Sequence, residues 1–202
     1  MKPRLYFEQK ITAFVNKYRI YSAAETGEKA GLVAMAQQKR LAFKEKVTFY
    51  ADEKQTQPTF TFRAEKVMDI HGRYFIEDMN GQLGGMFRKL FGESLAVSTW
   101  RLMDANGNDI LEVKESNAVL AVLRRYGGWI PIAGDIIELV TLFLKCHFVV
   151  VDLSTNQIVG KYEKTTLFYD RYKFSITDEA YAKLPWQAFA AMGVALDALQ
   201  SR

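Results

Sequence analysis

The sequence predicts a mainly β domain, made of antiparallel hairpins that close around a buried C-terminal helix. Three features predict it: a repeated strand-turn-strand pattern, one segment in which the hydrophobic period changes, and a final segment that is apolar on nearly all sides. The 202 residues, 49% of them hydrophobic and only four of them proline, suit one folded domain with a large core. We therefore expect a single domain over residues 1–202.

The repeat is marked by three aspartates, Asp78, Asp104 and Asp152. An aromatic residue stands four positions before each aspartate and an aliphatic residue two positions before it, so these side chains share one face of a strand. The six residues are Tyr74, Trp100, Phe148, Ile76, Leu102 and Val150. Turn-forming residues and a second strand follow each aspartate. We predict three hairpins of one type with their aromatic residues in the core, and weaker versions at 18–32 and 47–62.

The interval between repeats indicates an insertion. Asp78 and Asp104 are 26 residues apart, whereas Asp104 and Asp152 are 48 apart, so 22 residues have been added. They must lie within Asn117–Leu144, where the apolar residues change to a helical spacing and are interrupted by glycine and proline. The sequence predicts a short helical insertion between two strands.

The last element runs from Pro185 to Gln200 and has few charges. A helix that is apolar nearly all round must be buried on nearly all sides. Its 16 residues span about 24 Å at 1.5 Å per residue, about the height of a small barrel. Closing the sheet around this helix would bury it and leave no exposed strand edge.

These elements together resemble the tubby C-terminal-like fold, in particular the LURP-one-related proteins, with the phospholipid scramblases as relatives. The resemblance covers nearly the whole chain, and its carriers are the hairpins at 74–89, 100–114 and 148–164, the strand at 172–176 and the helix at 186–199. It implies a closed barrel of twelve strands and a non-enzymatic role, because tubby domains bind phosphoinositide head groups and scramblases act at membranes. It transfers no site residue to this chain.

The sequence contains no complete catalytic or metal-binding pattern. Asp104, Asn106, Asn108 and Glu115 partly fit a calcium loop, but Asp109 stands where that loop needs glycine, so a plain hairpin turn is favoured. The two histidines and the single cysteine have no spacing suited to zinc, and no serine lies in a nucleophile motif. We expect no catalytic residue, no metal and no other cofactor.

The remaining candidates are basic side chains. Arg88, Lys89, Arg124 and Arg125, together with Trp129, would suit a membrane interface, where cations meet anionic lipid and tryptophan lies among the head groups. A solvated charged rim is the competing interpretation. Nucleic acid is disfavoured because the basic residues do not concentrate on one element. The excess of apolar residues in 117–144 makes a protein-interaction or dimerisation surface the alternative function.

The expected compartment is the cytoplasm, with a peripheral association with membranes. Cys146 is the only cysteine, which excludes a disulfide framework within the monomer. Residues 1–9 lack the apolar stretch of a secretory signal, and charges interrupt the most apolar region before it reaches the length of a spanning helix.

Overall fold

The computed structural model describes residues 1–11, 15–39, 46–65, 72–90, 99–115, 146–165 and 171–200. These residues form twelve antiparallel strands in which each strand bonds to its sequence neighbours, and β1 closes the barrel against β12. The strands are β1 (Lys2–Ile11), β2 (Val15–Ala23), β3 (Lys29–Lys39), β4 (Lys46–Tyr50), β5 (Pro58–Ala64), β6 (Arg73–Asp78), β7 (Leu83–Leu90), β8 (Thr99–Met103), β9 (Asp109–Glu115), β10 (Cys146–Asp152), β11 (Gln157–Lys164) and β12 (Arg171–Ile176). Two helices follow, α1 (Asp178–Tyr181) and α2 (Trp186–Gln200). The predicted closed, mainly β barrel is confirmed.

The three predicted hairpins are β6–β7, β8–β9 and β10–β11, and the two weaker ones are β2–β3 and β4–β5. In the turns after Asp78 and Asp104, the aspartate Oδ1 accepts backbone N–H bonds from two and four residues later, at 2.8–2.9 Å. Gly81 and Gly107 adopt φ values of 81° and 87° in these turns, a region that glycine enters without strain. The shared aspartate and glycine therefore build the same turn twice.

The core lies between the inner faces of the strands and α2. Trp100 and Phe148 are 1% and 6% exposed, and Tyr74 and Trp186 pack against the same cluster, as expected for core aromatics. The middle of α2 is buried on all sides, with residues 188–192 at 0% exposure. The hydroxyl of Tyr162 donates to the Phe189 carbonyl at 2.9 Å, which ties the helix to β11. The predicted buried C-terminal helix is confirmed.

The two ends of the barrel differ. The short turns at 24–28, 51–57, 79–82, 104–108 and 153–156 all lie at one end, which we call the turn end. The strands that flank the internal segments outside the described residues all meet at the opposite end, and α2 finishes there. The predicted helical insertion at 117–144 belongs to one of those segments, so it stays a prediction.

Two described elements were not predicted from the residues themselves. Strand β1 pairs with both β2 and β12, and its inward residues Leu5 and Phe7 are 2% and 4% exposed. The short helix α1 is capped by the Thr177 side chain, which accepts a bond from the Ala180 amide. No helix in the described part of the chain is both long and apolar enough to span a membrane.

Candidate functional site

The structure does not bring Arg88 and Lys89 together, although they are adjacent in sequence. Successive residues of a strand point to opposite faces of the sheet. Arg88 lies on the outer face of β7, where its guanidinium pairs with Asp109 at 3.0 Å. Lys89 faces the interior at the end opposite the turns, with its Nζ 5.6 Å from the ring of the buried Trp100. The two side chains therefore cannot serve one outer surface.

The other three predicted residues, Arg124, Arg125 and Trp129, lie outside the described residues. The segment that carries them joins the end of β9 to the start of β10, so its attachment points lie at the end opposite the turns. Their proposed role at a membrane, and that of residues 117–144 in dimerisation, stay predictions.

A basic surface lies on the outer face of the barrel and begins beside Arg88, which is opposite Arg101 in the β7–β8 ladder. Glu112 on β9 pairs with Arg101 at 2.8 Å and with Lys114 at 2.9 Å. On β11, Glu163 pairs with Lys161 at 2.8 Å and with Lys173 at 3.4 Å. Each carboxylate is thus held between two cations, one of them two residues away on its own strand.

A third carboxylate, on β1, also lies between two cations, both of them on other strands. Glu8 pairs with Lys29 at 2.7 Å and with Arg171 at 3.8 Å. Burial alone would raise the pKa of Glu8, but the hydrogen bond from Lys29 and the charges of Lys29 and Arg171 outweigh it and hold this pKa below its usual value. Glu8 therefore remains ionised at neutral pH. We call these nine residues the outer cationic band: Arg101, Lys114, Lys161, Lys173, Lys29, Arg171, Glu112, Glu163 and Glu8.

Strand register places the first part of the band on one continuous surface. Val149 on β10 is paired with Lys114 on one side and with Lys161 on the other. Val149 and Val151 are only 3% and 4% exposed although they lie on the outer face. Long basic side chains cover apolar surface with their methylene stems and keep their charged ends in water. The two lysines therefore flank Val149, each with its Nζ on a glutamate of its own strand.

The charge of the band is unbalanced. Among the ion pairs between described residues, six cationic side chains meet three carboxylates, which gives these nine residues three more positive than negative charges. Around β5 and β6, by contrast, Arg63 pairs with Glu77 and Arg73 with Glu65, one cation to one carboxylate. The glutamates at 112 and 163 are 14% exposed, less than any of their cationic partners. An approaching anion would therefore meet the cations first.

In the partial calcium loop, the Asp104 carboxylate is hydrogen-bonded to residues of its own hairpin turn. The Asp104 carboxylate accepts bonds from the backbone amides of Asn106 and Asn108 and from the Asn108 side chain at 2.8 Å. These bonds, the Asn108 side chain first, hold the pKa of Asp104 below its usual value. Asp78 makes the same backbone bonds in a turn that has no calcium-loop pattern. The geometry is that of a hairpin turn.

Residues 32–197 match the family model of the LURP-one-related proteins. The chain belongs to the LURP-one-related family. The matched range begins inside β3 and ends inside α2, so ten of the twelve strands of this LURP-one-related barrel lie wholly or partly within it. The resemblance seen in the sequence is confirmed, and the tubby-like superfamily is consistent with it. No curated protein and no solved structure matches the chain.

Proposed function

We propose that this LURP-one-related protein is a non-enzymatic binding module that docks its outer cationic band on anionic lipid head groups at the cytoplasmic face of a membrane. The observation that carries the proposal is the two-to-one ratio of cations to carboxylates across β8–β12 and onto β1. Anionic lipids of the cytoplasmic leaflet attract such a surface with about 1 kcal/mol per basic residue near the membrane.

The family membership supports a binding role rather than a catalytic one, since the LURP-one-related fold is of the tubby-like type. The breadth of the outer cationic band also supports a binding role. Lys114 and Lys161 flank Val149 on neighbouring strands, so the band presents a broad surface, which suits a layer of head groups better than a single enclosed ligand. Arg124, Arg125 and Trp129 would extend the contact from the β9–β10 connection, as the sequence predicts.

The test is co-sedimentation with vesicles of graded phosphatidylserine content, comparing wild type with Lys114→Gln/Lys161→Gln. Each substitution leaves the glutamate beside it one cationic partner, Arg101 or Lys173, so the barrel should remain folded. Losing two basic residues near the surface should weaken partitioning about 30-fold at low salt. Because exposed charges are screened within about 8 Å at physiological ionic strength, wild-type binding should fall as salt is added.

The matched control is Lys46→Gln/Lys54→Gln, which removes the same net charge. Lys46 lies on β4, six strands from β10 in the closed barrel, and Lys54 lies in the turn that follows. Equal loss of binding in both double variants would show that only net charge matters and would overturn the assignment to the band. A third variant, Arg124→Glu/Arg125→Glu, separates the β9–β10 connection from the band. No binding of wild type at any lipid composition would leave the protein-interaction alternative.

A further inference from the structure

The pairing between β3 and β4 is the shortest in the described barrel, and we call it the β3–β4 seam. Two residue pairs join the strands there, between residues 35–36 of β3 and 49–50 of β4. Every other pair of neighbouring strands shares five or more residue pairs. The described residues 37–39 and 46–48 do not pair with each other, so β3 and β4 separate towards the end opposite the turns. Few backbone hydrogen bonds therefore hold this seam.

The turn that follows β4 crosses the seam on the outside of the barrel. It comprises residues 51–57, and we call it the strap. The Glu53 carboxylate accepts two bonds from the Arg19 guanidinium on β2, at 2.8 and 3.2 Å. The Gln55 Nε2 donates to the Gln37 Oε1 on β3 at 2.8 Å. Because the strap begins where β4 ends, these side-chain bonds tie β4 to both β2 and β3.

The burial of Met35 indicates that the strap lies against the sheet. Ala34 and Ala36 are 0% exposed on the inner face, so Met35 between them points outwards. Met35 is nevertheless only 2% exposed. It lies opposite Arg19 in the β2–β3 ladder and two residues from Gln37, and these are the two residues that the strap bonds. Arg19, Gln37 and the strap therefore enclose Met35 on the outside of the seam.

The strap has a fixed shape of its own. The Asp52 carboxylate accepts bonds from the backbone amides of Thr56 and Gln57, both at 2.9 Å. Gln55 adopts a φ of 60°, a left-handed conformation that is uncommon for a residue other than glycine. Its backbone amide bonds the Asp52 carbonyl at 3.2 Å, which helps to hold that conformation. The strap can therefore leave the sheet and return to it as one unit.

We propose that the barrel opens at the β3–β4 seam and that the strap is the latch that keeps it closed. Opening there breaks two residue pairs and the bonds of the strap, whereas opening at any other described seam would break at least five pairs. Regions with few backbone bonds open at a lower free energy than the rest of a fold. The open state exposes Ala36 and Phe49, which are 0% exposed in the closed barrel, while the other ladders stay paired. None of the latch residues belongs to the outer cationic band.

Thiol labelling of the folded protein tests the seam. In a Cys146→Ser background, a single cysteine is placed at Ala36 or, as the matched control, at Val150, since both residues are 0% exposed. Val150 lies between ladders of five and six residue pairs. Ala36→Cys should react with iodoacetamide about tenfold faster than Val150→Cys. Its rate should also depend less on urea, because seam opening exposes less surface than global unfolding. Equal rates with equal urea dependence would overturn the seam.

Glu53→Gln tests the strap as the latch. It removes the charge that the strap presents to β2 and should speed the labelling of Ala36→Cys about threefold. The matched control is Glu77→Gln, which loses an equivalent pair of bonds from Arg63, at 2.9 and 2.7 Å, across the β5–β6 ladder. This control should leave the labelling of Ala36→Cys unchanged. Equal acceleration by both substitutions would show a general loss of stability and overturn the role of the strap.

Hydrogen exchange of the unmodified protein keeps the proposal falsifiable if a cysteine variant fails to fold. The backbone amides that join β3 to β4 at residues 35–36 and 49–50 should exchange about tenfold faster than those that join β9 to β10. Glu53→Gln should widen this difference. Exchange of both ladders at one rate would overturn the seam.

Discussion

The contact between Gly193 and Phe7 sets how closely α2 can approach β1. A Cβ atom added at Gly193 would lie 2.5 Å from the Phe7 ring, well inside van der Waals contact. We predict that Gly193→Ala destabilises the protein by about 1–2 kcal/mol, because overpacking costs about 1–3 kcal/mol and the better helix propensity of alanine returns about 1 kcal/mol at most. Urea unfolding measures the change.

Two further variants test whether the contact with Phe7 causes the predicted loss of stability in Gly193→Ala. Gly31→Ala, at a position on β3 where nothing lies within 4 Å of the added Cβ, should leave stability nearly unchanged. Phe7→Leu costs stability alone but should cost less when combined with Gly193→Ala, since the smaller side chain makes room for the methyl group. Additive losses in the double variant would contradict the proposed contact.

At the scale of elements, the β10–β11 turn is joined to the α1–α2 connection by one ion pair. Lys183 donates to Asp152 Oδ2 at 2.6 Å, and Asp152 is 5% exposed. The hydrogen bond from Lys183, followed by those from Ser154, holds the pKa of Asp152 below its usual value. We predict that Lys183→Met lowers the free energy of unfolding by about 1–2 kcal/mol at pH 7, as a charge-assisted hydrogen bond is lost.

The pH dependence of this loss follows from the direction of the pKa shift. A carboxyl whose pKa is lower in the folded state stabilises that state above its unfolded pKa, near 4, and ceases to do so as the pH falls further. The difference between wild type and Lys183→Met should therefore shrink between about pH 4 and pH 2. Lys54→Met, in an exposed turn, is the matched control and should show little difference at either pH. A constant difference across this range would count against the ion pair.

The hairpins could be predicted because the residues that specify each of them lie close together in the sequence. The hairpins after Asp78, Asp104 and Asp152 each combine an alternating strand, an aspartate that bonds its own turn and a residue suited to positive φ, all within about ten residues. Strand β1 carries a similar alternation at Leu5 and Phe7, but no aspartate marks it. Its place against β12 depends on a pairing between distant parts of the chain.

The outer cationic band was also hard to predict, because it depends on pairing between strands that are distant in the sequence. Glu112 and Lys114, and likewise Lys161 and Glu163, share an outer face because they are two residues apart, and that much is readable from the sequence. Their meeting across Val149 depends on the register of β9, β10 and β11. The 116–145 segment separates the first pair from the second in sequence, so no local pattern connects them. Conversely, the adjacent Arg88 and Lys89 look like one cluster but face opposite sides.

For the whole molecule, barrel closure depends on a part of the chain that precedes the family match. The match begins at residue 32, whereas β1 and β2 occupy residues 2–23 and supply the only pairing that the structure shows between β12 and β3. They also bury Leu5, Phe7 and Ile20 against the core around α2. Without them, two strand edges and one side of an apolar helix would face water.

We therefore predict that residues 27–202, expressed without the first 26, do not unfold cooperatively and form larger assemblies than the intact protein does. The cut falls in the β2–β3 turn, so a separate 1–26 fragment retains both strands and can still pair with β3 and β12. Mixing the two fragments should restore the near-ultraviolet circular dichroism of the intact protein and its elution volume in size-exclusion chromatography. A 1–26 fragment carrying Phe7→Asp is the control and should fail, because it places a charge against Gly193 and the buried helix. A monomeric 27–202 fragment with a single cooperative transition would show instead that ten strands suffice to enclose α2.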